Sequence, residues 1–267
     1  MRKAINTLVV ADLAFLFLHA VSGMVDGCFS DLLYLLAFFL PVALALIICG
    51  ERAELSLLRI KRSDILLTLP VVPITVITVI GISALTTLIM GAFGIENEVV
   101  LEGGFFEAAL RYALLTAVLE ELIFRYLPMR LLAERSSRAA VLISSVFFAL
   151  VHCDLFQMPY AFFAGVVFMV LDIATNSILP SLFIHFLNNL LAVIFYFYAD
   201  AAAIRLSLIL PLSLFAMVGA AVILVRRREY SSLFGAAFSR GDFSPTDAST
   251  ALCLAIPTIT VAIMSLC

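Results

Sequence analysis

Apolar runs separated by short polar links recur along almost the whole chain. A run of about 20 apolar residues makes a helix long enough to cross the hydrocarbon core of a bilayer. Eight segments read as such helices: Asn6–Met24, Leu32–Cys49, Ile65–Phe93, Phe105–Leu127, Ala139–Cys153, Pro159–Ile173, Ile178–Tyr198 and Leu206–Val225. A ninth candidate, Ala251–Leu266, is shorter. The third run is long enough to tilt or break, and Pro70 and Pro73, which lack a backbone donor, predict a kink within it. The opening "MRKAINTLVVADLAFLFLHAV" begins like a signal sequence. Asp12 and His19 interrupt its apolar region, so it reads as a first membrane helix or signal anchor.

Composition agrees with this pattern. The 267 residues are 64% hydrophobic and 13% charged, with a mean hydropathy of +1.18, against about 45–50% apolar and about 25% charged in soluble domains. The expected fold is all-α: a polytopic membrane helical bundle of eight transmembrane helices, or nine with Ala251–Leu266. One integral bundle is expected, with N-terminal helices over 1–100, core helices over 101–200, and C-terminal helices with a polar linker over 201–267. No internal repeat is visible. The five cysteines show no paired spacing and read as small apolar fillers. A net charge of −3 offers nothing to a nucleic acid, so no nucleic-acid partner is expected.

The charges that remain are unevenly placed. "ERAELSLLRIKRSD" (51–64), "RYLPMRLLAERSSR" (125–138) and "RRREYSSLFGAAFSR" (226–240) hold most of the Lys and Arg, whereas "DGCFSD" (26–31) and "IENEVVLEGG" (95–104) hold none. Basic links favour the cytoplasmic side. This predicts a multi-pass protein of the plasma membrane with a cytoplasmic N-terminus.

Against that background "TAVLEELIFRYL" (116–127) is unexpected, because a charged side chain at mid-bilayer costs on the order of 2.5–3.5 kcal/mol. Glu121 and Arg125 stand four residues apart on one helical face and can pair. Glu120 lies roughly 100° around the axis and is left out of that pair. Glu107 and Arg111 repeat the spacing at the other end of the helix and read as a surface pair. Two more apolar helices carry polar groups: Phe148 and His152 in "FALVH", and His185 and Asn189 in "HFLNN", each four residues apart. His19 has no partner visible in the sequence and reads as structural.

In an antiparallel hairpin, Glu120 and His152 sit at one level, being centred on Ser136. His185 lies eight residues beyond Ser177. The expectation is a shared pocket opening toward the cytoplasm, provided the fourth helix runs on through Leu132. A carboxylate shielded from water holds its proton more tightly and suits base catalysis near neutral pH. Glu120 would take a proton from a water held by His152. His185 and the Asn189 amide would stabilise the oxyanion of amide hydrolysis. There is no HExxH helix and no GxSG motif, and Asp242 falls in the polar linker.

The three motifs "EELIFR", "FALVH" and "HFLNN", in order on successive apolar helices, resemble the signature of the type II CAAX prenyl endopeptidase family, which also includes bacterial proteins associated with bacteriocin processing and self-immunity. Ser177, Pro180 and Gly165 fit the same pattern, and the resemblance spans roughly Leu101 to Tyr198. Tyr126 stands where family members often carry glycine. The resemblance implies an intramembrane endopeptidase acting on a membrane-associated peptide or protein, with or without a prenyl group. Glu120 and His152 would activate water, His185 and Asn189 would hold the oxyanion, and Glu121 and Arg125 would support the site. No cofactor is expected on the metal-free route. The competing description makes Glu120, His152 and His185 zinc ligands. Two other readings stay open. One is a membrane immunity protein that binds a hydrophobic peptide without cutting it. The other is a proton-coupled transporter, for which the inverted repeats and paired broken helices are missing.

Overall fold

The computed structural model describes residues 1–25, 28–96, 99–198, 202–239 and 241. The ninth candidate span, Ala251–Leu266, and Asp242 lie outside the described residues. Among those described, the chain is helical, with no strand. The elements are α1 (Arg2–Ser22), α2 (Cys28–Cys49), α3 (Arg62–Thr68), α4 (Val71–Ala92), a composite helix α5 over 105–133, α6 (Ser137–Leu150), α7 (Met158–Thr175), α8 (Leu179–Phe197), α9 (Ala202–Val225) and α10 (Arg227–Ser239).

Six helical stretches among the described residues are long and apolar enough to cross a membrane: Arg2–Ser22, Phe29–Cys49, Arg62–Ala92, Met158–Thr175, Leu179–Phe197 and Ala202–Val225. The fourth and fifth expected spans do not stand as uninterrupted membrane-length α-helices. With its 14 residues, α6 is only about 21 Å long at 1.5 Å per residue, against a hydrocarbon core of about 30 Å. The other, α5, carries the charged motif and is repeatedly interrupted. The break foreseen in the third run falls where α3 ends and α4 begins, with Pro70 preceding Val71. Neither Pro70 nor Pro73 can donate to the carbonyl one turn earlier.

Three segments of α5 are π-helical: Ala109–Leu115, Leu122–Tyr126 and Met129–Ala133. A π turn inserts an extra residue per hydrogen-bonded turn and rotates everything beyond it; such turns concentrate at functional sites. Thr116 Oγ1 donates to Arg111 O at 3.0 Å, one π turn back. The helix runs on through Leu132, as the hairpin arithmetic required. Ser136 then caps α6, its hydroxyl accepting from Ala139 N at 3.3 Å. Asn176 closes α7 in the left-handed conformation (φ 50°), and Pro180 occupies the first turn of α8.

One end of the bundle is tied together by polar contacts. Arg130 pairs with Glu51 at 3.0 Å and with Glu54, and Arg135 reaches Glu51 at 3.1 Å. Ile178 N and Ser177 Oγ both donate to Leu57 O, at 2.9 and 3.2 Å. Tyr230 OH donates to Leu67 O at 2.9 Å, and Arg138 Nε to Phe238 O at 2.7 Å. The α2–α3, α5–α6 and α7–α8 links therefore share an end with α10, and all but the α7–α8 link belong to the basic segments of the sequence. By alternation of helix direction, residues 99–104 and the α6–α7 link (151–157) lie at the other end.

The apolar faces of α1, α2, α5 and α6 pack into one core, and those of α4, α7 and α8, joined by Tyr230 of α10, into a second. At Gly165 α7 passes close against α6: an added Cβ would stand 2.9 Å from Ser145 Cα. By contrast, α9 buries little beyond Gly219, which meets Pro70 backbone, and its apolar side chains face outward. That is the pattern of a lipid-facing helix.

Candidate active site

The site is built outward from α5. Glu121 and Arg125 are fully buried, with Arg125 Nε 3.5 Å from Glu121 Oε2. Arg125 Nη1 donates to Phe124 O at 2.9 Å and to Ser144 Oγ at 3.1 Å, and its guanidinium lies 4.4 Å above the Phe148 ring and 5.3 Å from that of Phe168. Aromatic faces and hydroxyls thus replace the water the cation has lost. The foreseen i,i+4 pair is formed. Near the start of the helix, Arg111 stands 3.8 Å from Glu102 rather than pairing with Glu107, and both partners are exposed.

His185 is held between the two adjacent glutamates. Its Nδ1 is 2.8 Å from Glu121 Oε1 and its Nε2 is 3.6 Å from Glu120 Oε2. With Glu121 ionised against Arg125, Nδ1–H donates and the ring is oriented by a carboxylate. Glu120 Oε2 has no hydrogen-bond donor among the described residues. His152 has its Nδ1 2.6 Å from Phe148 O. A carbonyl only accepts, so Nδ1 carries the proton and Nε2 is left with its lone pair. Phe148 meets both imidazoles edge-on, at 5.1 Å to His152 and 5.5 Å to His185. One ring thereby sets the spacing of two histidines and caps the buried cation.

Glu120, His152, His185 and Asn189 all line one cavity of about 580 Å³. Glu121 and Arg125 lie behind its wall. Of the six residues singled out in the sequence, four therefore face a common space and two buttress it. Residues from the far end of the bundle, Val99, Leu101, Phe156 and Gln157, line the cavity, and none from the basic links does. Glu120 and His152 are each 16 residues from Ser136, well removed from the α5–α6 link.

Several residues of the site were not singled out in advance. Asn188 lines the cavity beside Asn189. Both i+3 and i+4 positions share a helix face with His185, so its spacing was a usable signal. Tyr112, Thr116, Gln157 and Tyr160 add further polar groups to the wall. Asp172, fully buried on α7, accepts from Ser181 Oγ at 2.7 Å and Ser181 N at 3.3 Å. A lone acid within the apolar "FMVLDIAT" was the mark that could have flagged it. His19 stacks on Phe15 at 5.5 Å and lies 5.5 Å from the Tyr34 ring.

Among the described residues no group of three His, Cys, Asp or Glu side chains is disposed to hold a metal ion. Nδ1 of His152 and of His185 is engaged and each ring keeps Nε2, but Glu120, His152 and His185 are not gathered as a three-ligand group in this arrangement.

Residues 103–191 match the family model of the type II CAAX prenyl endopeptidase Rce1-like proteins. No curated protein and no solved structure matches the chain significantly. The matched stretch holds all six residues above and runs from the foot of α5 into α8, so the apolar helices and the site belong to one integral membrane protein. Over this segment the chain is similar to the type II CAAX prenyl endopeptidase Rce1-like family, a family of membrane proteases.

Proposed function

We propose that the protein is an intramembrane endopeptidase that hydrolyses a peptide bond of a membrane-associated peptide or protein with a water activated by Glu120. The observation that carries this reading is the convergence of Glu120, His152, His185 and Asn189 on one cavity. A peptide seated there would present its carbonyl to a water lying between Glu120 and His152. Glu120 Oε2, which has no donor among the described residues, takes the proton. His152 Nε2, left free by the bond from Nδ1 to Phe148 O, holds the water by accepting its second hydrogen. Attack on the carbonyl carbon places negative charge on oxygen, and the amides of Asn189 and Asn188 donate to it. Glu120 then returns its proton to the leaving nitrogen.

The role of His185 follows from its neighbours. With Nδ1–H committed to Glu121, a neutral ring has no proton on Nε2 to give. As an imidazolium it donates from both nitrogens. It also balances the charges, since Glu120, Glu121, Arg125 and His185 then sum to zero in a region where unbalanced charge is costly. His185 would therefore act on the oxyanion as a cation held in place by Glu121. The chemistry uses only the chain's own side chains and water.

The test is cleavage of a membrane-peptide library by purified protein and by Glu120→Gln. Cleavage by the parent alone supports the enzyme. Tight peptide binding without cleavage by either protein points instead to a binding or immunity role.

A further inference from the structure

We infer that the cavity is reached from the face of the membrane opposite the basic links, so that the substrate segment is presented on the extracytoplasmic side. The substrate half of this statement rests on the proposed function; the direction of access does not.

Three observations carry the inference. The first is the composition of the two ends. The segments 51–64, 125–138 and 226–240 are joined by the Arg130–Glu51, Arg135–Glu51 and Arg138–Phe238 contacts, and they hold most of the chain's Lys and Arg. Among the described residues the opposite end carries Glu96, Glu102, Glu107 and Asp154, relieved by Arg111 and Arg205. Short basic links are retained on the cytoplasmic side, which puts the acidic end outside.

The second is depth. His185 lies eight residues past the α7–α8 link, about 12 Å along α8, and Glu120, 3.6 Å from its Nε2, stands at the same level, so the polar cluster is set back from the basic end by about two helical turns. The third is the wall. From the His185 level the cavity continues along α8 past Asn189 to Ala192 and Tyr196, and it is bordered by Val99, Leu101 and Gln157 of the acidic end. On the basic side, His185 and Phe168 are buried. Beneath them Asp172 and Ser181, also buried and bonded to each other at 2.7 Å, close the way to the α7–α8 link. A peptide approaching from the basic side meets a packed floor, whereas one approaching from the acidic side meets an opening. No Lys or Arg lines the cavity among the described residues, so a segment with acidic groups beside the scissile bond would meet Glu120 with His185 as the one counter-charge among the described lining residues.

The test uses single added cysteines in the full-length protein, labelled with a membrane-impermeant maleimide in intact cells and in inverted membrane vesicles. The signal is read above that of the chain's own five cysteines. Ser56→Cys reports the basic end, Val99→Cys the acidic end, and Ala192→Cys and Tyr196→Cys the cavity. The expected result is that Val99→Cys, Ala192→Cys and Tyr196→Cys label at least about 10-fold faster from outside, and Ser56→Cys at least about 10-fold faster from inside. Labelling of both cavity positions from the side of Ser56→Cys, labelling of all four from the inside, or no labelling of either cavity position would overturn the inference. Using two cavity positions guards against one variant failing to fold. Labelling needs no catalysis, so it can fail or succeed independently of the proteolytic reading. In proteoliposomes of known orientation, a water-soluble peptide should be cut only when added to the Val99 side. Cutting only from the Ser56 side would overturn the inference while leaving the protease intact, and absence of Glu120-dependent cutting in detergent would count against the protease alone.

Discussion

Glu120 and Glu121, neighbours in sequence, bracket the same imidazole from opposite nitrogens: Glu121 Oε1 stands 2.8 Å from His185 Nδ1 and Glu120 Oε2 stands 3.6 Å from His185 Nε2. Adjacent residues on a helix point about 100° apart, and α8 packs into the angle between them. The same pair divides the work of the site, one carboxylate neutralising Arg125 from behind the wall and the other facing the cavity.

The two glutamates should therefore respond differently to the same change. Glu121→Gln leaves the buried Arg125 without its partner, and breaking such a pair costs about 3–5 kcal/mol. The expected outcome is a large drop in thermal stability in detergent together with loss of activity. Glu120→Gln should leave the unfolding temperature nearly unchanged while abolishing cleavage. Equal stability losses in the two variants would contradict the division of roles.

Asn189→Ala should lower turnover by at least ~10-fold, toward the ~10²–10³ typical of an oxyanion donor, with a smaller effect on KM. Asn188→Ala, made in parallel, tests whether the two amides share the load. An unchanged kcat in both single variants and in the double variant would remove the side-chain oxyanion hole.

Gly165→Leu should separate α6 from α7, because even a Cβ there would come within 2.9 Å of Ser145 Cα. Overpacking of this kind costs about 1–3 kcal/mol. Phe148 rides on α6 with His152 just past its end, while Ala161, Ala164 and Phe168 ride on α7, so activity should fall along with stability. Gly165→Ala should show the milder form of both effects. A Leu variant with parental melting and turnover would show that this contact does not hold the cavity's shape.

Exhaustive chelation should spare activity, given that no trio of ligands is assembled among the described residues. Loss of cleavage restored by added zinc would return Glu120, His152 and His185 to the role of ligands.

Asp172→Leu removes the acceptor of two bonds from Ser181. A buried donor left unsatisfied costs about 1–3 kcal/mol. Asp172→Asn, which can still accept from the hydroxyl, should recover most of that loss. Thermal melts of the two variants check the ordering, and a Leu variant as stable as the parent would refute it.

What the sequence by itself determined is local. Apolar runs and prolines located the long helices and the break between α3 and α4, because a helix must bury or expose whole faces and cannot keep its ladder through Pro70 and Pro73. Charged and polar residues inside apolar runs marked α5, α6 and α8, because lipid excludes such groups unless they are paired. The Glu121–Arg125 pair was legible for the same reason, since both ends lie on one helix. Tertiary structure decided what depends on how helices are rotated and stacked. The π turns of α5 shift the register of every residue after them, and nothing in a 3.6-residue period announces them. Whether Asn188 reaches the cavity with Asn189, and whether Asp172 meets Ser181, depends on the angle between neighbouring rods. So does the end at which the cavity opens: residue spacing gives distance along a helix, but only the packing of Phe168 and His185 against their neighbours closes one end and leaves the other free.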